Sequence, residues 1–260
     1  MNRIQHKCSL PVNVIIMAGG KGTRLQSLTA HTHKSLLEVA GKPVILHLVE
    51  HLVSFEFYTI YISVGHFSEQ IIDFLGDGSK WGASIKYIQE TKPMGSIGAL
   101  SLKNDWEYEN FLVINGDIFT NFNLYEFVSD FFSKEADMTV LTYESQIEIP
   151  WGVLMINHDG EITDLVEKPR YLIQTNAGIY LFNQSVIKLL PSKVPTEGWE
   201  LIQLALKMKY KIISGPLNEG YWVDIGTKET LLKAQKLSTH TLQAKTYSDK
   251  YTLSDSPLSK

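Results

Sequence analysis

The chain has 260 residues, 44% of them hydrophobic and 20% charged, and a formal net charge of -4. That balance is ordinary for a globular protein and gives no electrostatic footprint for a nucleic-acid binder. The single cysteine, Cys8, excludes an intrachain disulfide framework and fits a reducing cytosol. No apolar run approaches the ~20 residues that a membrane helix needs. The expectation is a cytoplasmic protein acting on something small, with no nucleic acid and no membrane among its partners.

Residues 1–11 read as an N-terminal arm, and the first strand candidate is "VIIMA" (14–18). It is followed by "TIYISVG" (59–65), "SIKYIQE" (84–90), "NFLVING" (110–116) and "DMTVLTY" (137–143), with helical patterns at 43–54, 68–75, 96–102 and 123–134 between them. Strands written as near-continuous apolar runs, alternating with helices, predict a mostly parallel sheet covered by helices. Ligands of such sheets bind at the carboxyl ends of the strands. Further on, "WGVLMIN" (151–157), "EITDLVEK" (161–168) and "TNAGIYLF" (175–182) are closely spaced strands broken by His158-Asp159-Gly160, an antiparallel or mixed appendage on the same sheet. Helical patterns return near 184–190 and 197–208, then come a strand near 211–217, "YWVDIG", and a last helix near 228–237. From Ser238 to 260 the chain is polar and aperiodic, a tail. One domain over 12–237 is therefore expected.

Three local signals carry chemistry. The first is "MAGGKGTRL" after the opening strand. Glycines let backbone N–H groups approach a phosphate because no Cβ intervenes. The pattern is neither a P-loop nor a dinucleotide fingerprint, since Leu25 stands at the third glycine position. Arg24 can grip phosphate oxygens bidentately, and Lys34 can serve as a point charge. The second signal is a pair of strand-end carboxylates, Asp117 after "FLVIN" and Asp224 in "YWVDIG". Two carboxylates plus a phosphate loop make a Mg²⁺–polyphosphate site. The third, "HLVEH", matches the His-x-x-Glu-His zinc pattern at His47 and His51. Short patterns recur by chance, and the expectation there is an amphipathic helix with two surface histidines; His31 and His33 read as loop residues.

Together these stretches resemble the sugar-1-phosphate nucleotidylyltransferases. "MAGGKGTRLQSLT…HKSLLEVAGKPVI" is similar to the opening signature of that family, "IQETKPMGSIGAL" to its base-binding segment and "VINGDIFTNFN" to its first metal-aspartate segment. "WGVLMINHDGEITDLVEKP" and "TNAGIYLF" resemble the sugar-binding strands, and "GYWVDIGTKETLLKA" the closing metal-aspartate segment. The match runs over about 12–237 and implies a Rossmann-like nucleotide-diphospho-sugar transferase fold. The implied reaction is NTP plus sugar 1-phosphate giving NDP-sugar and pyrophosphate, with Mg²⁺ as cofactor and NTP and sugar 1-phosphate as partners.

Residue by residue, the resemblance implies that Ala18, Gly19, Gly20, Gly22 and Thr23 wrap the nucleotide, with Gln89, Glu90, Gly95 and Ser96 in the base segment. Arg24 would hold the leaving polyphosphate and Lys34 would sit over the α-phosphate. Asp117 and Asp224 would share Mg²⁺, Lys168 would bind the sugar phosphate, and Gly152, Glu167 and Asn176 would read sugar hydroxyls. Glu90 favours guanine, whose N1–H and amino group a carboxylate can accept, while Gln89 leaves UTP or dTTP as the alternative. Two departures stand out: "HTHKSLL" lacks the prolines that usually flank the lysine, and Ile97 stands where a small residue is usual. A silent regulatory homologue is the other reading of the fold, and the five charged residues together speak against it. Homo-oligomers are common for the fold, by analogy only.

Overall fold

The computed structural model describes residues 10–25 and 28–238, so the tail beyond Ser238 and the arm before Leu10 lie outside the described residues. The elements in chain order are β1 (Val12–Ala18), β2 (Glu38–Val39), β3 (Lys42–Pro43), α1 (Val44–Ser54), β4 (Thr59–Val64), α2 (Ser68–Leu75), β5 (Ser84–Gln89), β6 (Asn110–Asn115), β7 (Ile118–Thr120) and α3 (Leu124–Ser133). Then follow β8 (Met138–Glu148), β9 (Val153–Ile156), β10 (Ile162–Val166), β11 (Arg170–Asn183), α4 (Gln184–Ile187), α5 (Gly198–Lys207), β12 (Ile212–Pro216) and β13 (Trp222–Asp224). A last helix, α6, covers 228–238.

Seven strands form one sheet in the order β12-β8-β11-β6-β1-β4-β5. β5, β4, β1 and β6 pair parallel, β12 pairs parallel with β8, and β11 runs antiparallel to both of its neighbours. All seven residues of β1 are buried, as a central strand covered on both faces requires. Its side chains alternate between two cores. Val14 and Ile16 pack with Leu48, Leu52 and Phe127 of α1 and α3, whereas Ile15 and Met17 pack with Leu100, Val186 and Leu201 on the other side. Period-2 alternation thus builds a three-layer sandwich. No helix among the described residues is long and apolar enough to cross a membrane.

The predicted elements need four corrections. The helix expected at 96–102 is a 3₁₀ segment, Gly98–Leu102, at whose start Ile97 and Gly98 both donate backbone N–H to the Thr196 carbonyl. β8 runs to Glu148 and β11 starts at Arg170, well beyond the expected 137–143 and 175–182, and the two long ends pair with each other. β9 and β10 form their own hairpin and do not join the main sheet, whereas β11, expected in the appendage, lies inside the sheet between β8 and β6. His47 and His51 are half-buried, not surface residues: each ring Nε2 lies against a backbone carbonyl, Val39 at 2.7 Å and Phe122 at 2.9 Å. Those bonds dock α1 and occupy both imidazoles, and no group of three His, Cys, Asp or Glu suited to a metal occurs among the described residues.

Candidate active site at the carboxyl ends of the strands

The glycine loop leaves β1 at Ala18 and closes over the side chain of Lys34. Gly22 has φ +65, and a Cβ there would stand 3.1 Å from Lys34 Cβ, so both its conformation and its closeness call for glycine. Lys34 itself starts a short 3₁₀ turn and reaches across to Asp117, Nζ to Oδ2 at 2.6 Å. Both side chains are largely shielded from water, at 19% and 8% exposure, so this is a short, charge-assisted bond in a poorly screened place. Arg24, exposed at the loop's far end, approaches Asp224 at 3.7 Å.

Asp117 follows the last residue of β6 by two positions, and Asp224 closes β13. The strand pair β7–β13 brings them together: Asp224 pairs with Ile118, and the Ile225 N–H donates to the Asp117 carbonyl at 2.8 Å. A third apolar cluster, with Phe119, Val223, Ile225, Leu231 and Ala234, backs this pair with α6. Burial and the facing Asp117 carboxylate raise the pKa of Asp224, against the pull of Arg24 and Lys34. Its Oδ1 is buried with no hydrogen-bond partner. An orphaned carboxylate oxygen beside a second carboxylate fits a hard divalent cation that takes one or two carboxylates and phosphate oxygens.

These groups line a cleft of about 550 Å³ with Met17, Gly19, Gly20, Glu90, Pro93, Gly95, Ser96, Asn115, Pro195 and Glu197. Glu90 is buried; its carboxylate accepts from Ser63 Oγ at 2.5 Å and from the Met94 N–H at 3.1 Å. A Cβ on Gly19 would overlap that carboxylate, which is why the loop has no side chain there. Gly95 and Ser96 are held by the segment before α5: the Ser96 N–H donates to Glu197 Oε2 at 3.0 Å, and Ser96 Oγ accepts from the Gly198 N–H at 2.9 Å.

A smaller recess of about 160 Å³ joins Asp117 and Asp224 to Asn176, Tyr180 and Trp222. Here β11 bulges between Asn176 and Tyr180, and Asn176 donates to the Tyr180 hydroxyl at 2.9 Å. The remaining sequence-predicted residues do not line the cleft. Gln89 points out to the exposed side of β5, 3.4 Å from Ser68 Oγ. Gly152, Glu167 and Lys168 lie at the base of the β9–β10 hairpin, all exposed, with Lys168 at φ 47 before Pro169.

The nucleotidyl transferase family profile matches residues 13–241. The chain belongs to that family. Among curated relatives it is 31% identical to the mannose-1-phosphate guanylyltransferase catalytic subunit beta of Drosophila pseudoobscura pseudoobscura, over 92% of this chain and 65% of the relative. It is 32% identical to the bifunctional protein GlmU of Methanococcus maripaludis, over 86% of this chain and 53% of the relative. The chain therefore spans about half to two thirds of the length of these relatives. Among solved structures, it superposes on the crystal structure named "Putative Glucose-1-Phosphate Thymidylyltransferase" from Bacillus anthracis at TM-score 0.70 and 29% identity, covering 87% of this chain and 94% of that one. It superposes on HddC from Yersinia pseudotuberculosis, complexed with GMP-PN, at TM-score 0.68 and 27% identity, covering 86% and 98%.

Sequence reasoning missed Asn115 and Glu197 in the cleft wall and the burial of His33 behind Lys34. Asn115 lines both cavities with a buried, unpartnered Oδ1. His33 lies in a loop, as expected, but is 1% exposed and caps the turn that carries Lys34, its Nδ1 accepting from the Ser35 N–H at 3.1 Å. Burial, with the adjacent Lys34 charge, pushes its imidazole down to about 4, so it stays neutral and keeps that acceptor. A polar residue's burial is set by what packs on it, and no local pattern announces that.

Proposed function

We propose that this chain transfers a nucleotidyl group from an NTP to a sugar 1-phosphate, releasing pyrophosphate, with GTP the favoured nucleotide. The observation that carries the reading is the shielded Lys34–Asp117 pair beside the unpartnered Asp224 oxygen, facing a glycine loop across one cleft. A sugar 1-phosphate already carries an anionic nucleophile, so no general base is required. The obstacle is the meeting of two polyanions at the α-phosphate, and fixed positive charge with in-line positioning lowers it. In this reading Gly19, Gly20 and Gly22 present the loop backbone to the polyphosphate, Lys34 leaves Asp117 for the α-phosphate, and Arg24 holds the departing pyrophosphate. Asp117 and Asp224 would hold Mg²⁺, which when bound supplies neutralising charge between phosphate groups. Lys168 receives the sugar phosphate, and Asn176 with Glu167 and the Gly152 backbone read the sugar.

Guanine is supported by the Glu90 carboxylate in the cleft wall, by the guanylyltransferase names among the relatives, and by the GMP-PN complex of HddC. UTP or dTTP is the second reading, supported by the thymidylyltransferase name of a structural neighbour. The test is a grid of GTP, UTP, dTTP, CTP and ATP against several sugar 1-phosphates, with and without Mg²⁺, followed by coupled detection of pyrophosphate. Release that requires one base, one sugar phosphate and Mg²⁺ is the expected result. No release in any cell, with the protein shown folded, would leave an untested sugar or the silent regulatory reading, and nucleotide binding without turnover would then favour the untested sugar.

A further inference from the structure

The lysine on which the proposed chemistry turns sits in "HTHKSLL", a stretch with no proline to stiffen it. The structure shows what holds it instead. Gln70, on the first turn of α2, spans two backbone groups of this loop with one amide: its Oε1 accepts from the His33 N–H at 2.8 Å, and its Nε2 donates to the His31 carbonyl at 2.8 Å. On the other side of the same peptide, the His33 ring accepts from the Ser35 N–H, and Ser35 is fully buried. Lys34 therefore has a fixed residue before it and a fixed residue after it. Its own aliphatic stem is confined by Gly22, where a Cβ would stand 3.1 Å from Lys34 Cβ.

We infer that Gln70, together with the His33 cap, is a positioning residue for Lys34. It locks the backbone from 31 to 35, so that Lys34 passes from Asp117 to the reacting phosphate from a fixed base. The inference rests on the proposed role of Lys34. A side-chain amide suits this task because it offers one acceptor and one donor in a rigid plane, matching an N–H and a C=O on the same strand of chain. Holding a charge in place matters because misplacement of about 1 Å can cost ~10²-fold in rate. The Gln70 amide touches neither the cleft wall nor either carboxylate, so its effect has to pass through the loop.

The test is a double-mutant cycle on the pyrophosphate-release assay, with the substrate pair that the grid identifies, using wild type, Gln70→Ala, Lys34→Ala and both changes together. Gln70→Ala is expected to lower kcat ~10-fold, by the same positioning argument, with the KM for sugar 1-phosphate unchanged. In the Lys34→Ala background it is expected to cost nothing further, because the group it positions is gone. Gln70→Met keeps the length of the side chain and loses both bonds, so the same fall in kcat is expected, and it serves if the alanine variant is poorly folded by circular dichroism. A Gln70 effect of equal size in both backgrounds, or no effect in either, overturns the inference while leaving Lys34 its role. Wild-type turnover in Lys34→Ala alone overturns both, and identifies the proposed role of Lys34 as the error.

Discussion

The two ends of the candidate site are built on opposite principles. At the proposed nucleotide end, charge is set into the frame of the sheet: Asp117 is 6% exposed, Lys34 is paired to it, and Asp224 is held by a strand pair packed on its own apolar cluster. At the proposed sugar end, every residue of β10 is exposed, and Glu167 and Lys168 project from the same hairpin with no ion pair of their own among the described residues. The first arrangement suits a step common to all substrates, where preorganised charge does most at the α-phosphate. The second suits recognition of one sugar among many, since an exposed hairpin can change without disturbing the core. If that division holds, substitutions at the first end damage turnover, whereas those at the second damage one substrate's binding.

The largest effect is expected for Asp117→Asn. It removes the partner of Lys34 and one of two cation-binding carboxylates, and loss of one such preorganised charge contact typically costs ~10²–10³-fold in kcat. Pyrophosphate release at saturating substrates measures it, with circular dichroism showing that the fold persists. Turnover near the wild-type rate would break the comparison at its stronger side.

Next in size is the acid response of His33. Its ring is neutral in the folded state down to about 4, whereas in the unfolded chain it takes up a proton near 6.5. The unfolded state binds more protons in that window, so stability falls as pH drops from 6.5 toward 4 and this contribution levels off below. A shift from 6.5 to about 4 corresponds to roughly 3 kcal/mol at the acid end, as an order of magnitude. Urea unfolding at pH 7 and pH 4.5 should show the loss, and His33→Asn, which keeps an acceptor near the Ser35 N–H, should flatten it. An unchanged slope in that variant would remove His33 from the frame of the nucleotide end.

Lys168→Ala tests the other end. The side chain is exposed, so stability should stay within ~0.5 kcal/mol of wild type, as surface substitutions usually do. The expected loss is ~10²-fold in kcat/KM for the sugar 1-phosphate, with the KM for nucleotide unchanged. A loss shared equally between both substrates would mean that the hairpin is part of the common machinery, and the division drawn above would fail.

Much of this division was legible in the chain itself. Continuous apolar runs such as "FLVI" mark strands buried on both faces, and their ends put Asp117 and Ala18 at the rim of the sheet with no further information. What stayed hidden was whatever depends on distant partners. His33 and Gln70 are 37 residues apart, and Ser96 and Glu197 are 101 apart, so neither pairing leaves a trace in local periodicity. The long ends of β8 and β11 were hidden for a related reason: they are exposed and paired mainly with each other, so no apolar alternation sets their length. Gln89 and Glu90 looked equivalent as neighbours, yet consecutive positions at the end of a strand face opposite ways, and only Glu90 turns into the cleft.

The smallest effect expected is also the one that separates function from stability most directly. Asp224 has a raised pKa because it is partly buried beside Asp117, so its ionised form is less comfortable in the folded chain than in the unfolded one. The sign follows: a carboxyl whose folded pKa is raised costs stability above that pKa, and the cost disappears as pH falls and the group takes up a proton. Asp224→Asn removes the charge and should therefore stabilise the free protein at neutral pH. The side chain is 37% exposed, and solvent screening limits the gain to about 0.5 kcal/mol. The same variant should lose turnover with the chosen substrates. It should also lose the stabilisation that Mg²⁺ and nucleotide together give the wild type in thermal unfolding, since ligand bound only to the folded state raises the midpoint. A variant less stable than wild type without ligands would show that Asp224 is there to hold β13 in place; one more stable but inactive would show a carboxylate retained at a cost to the fold for what it binds.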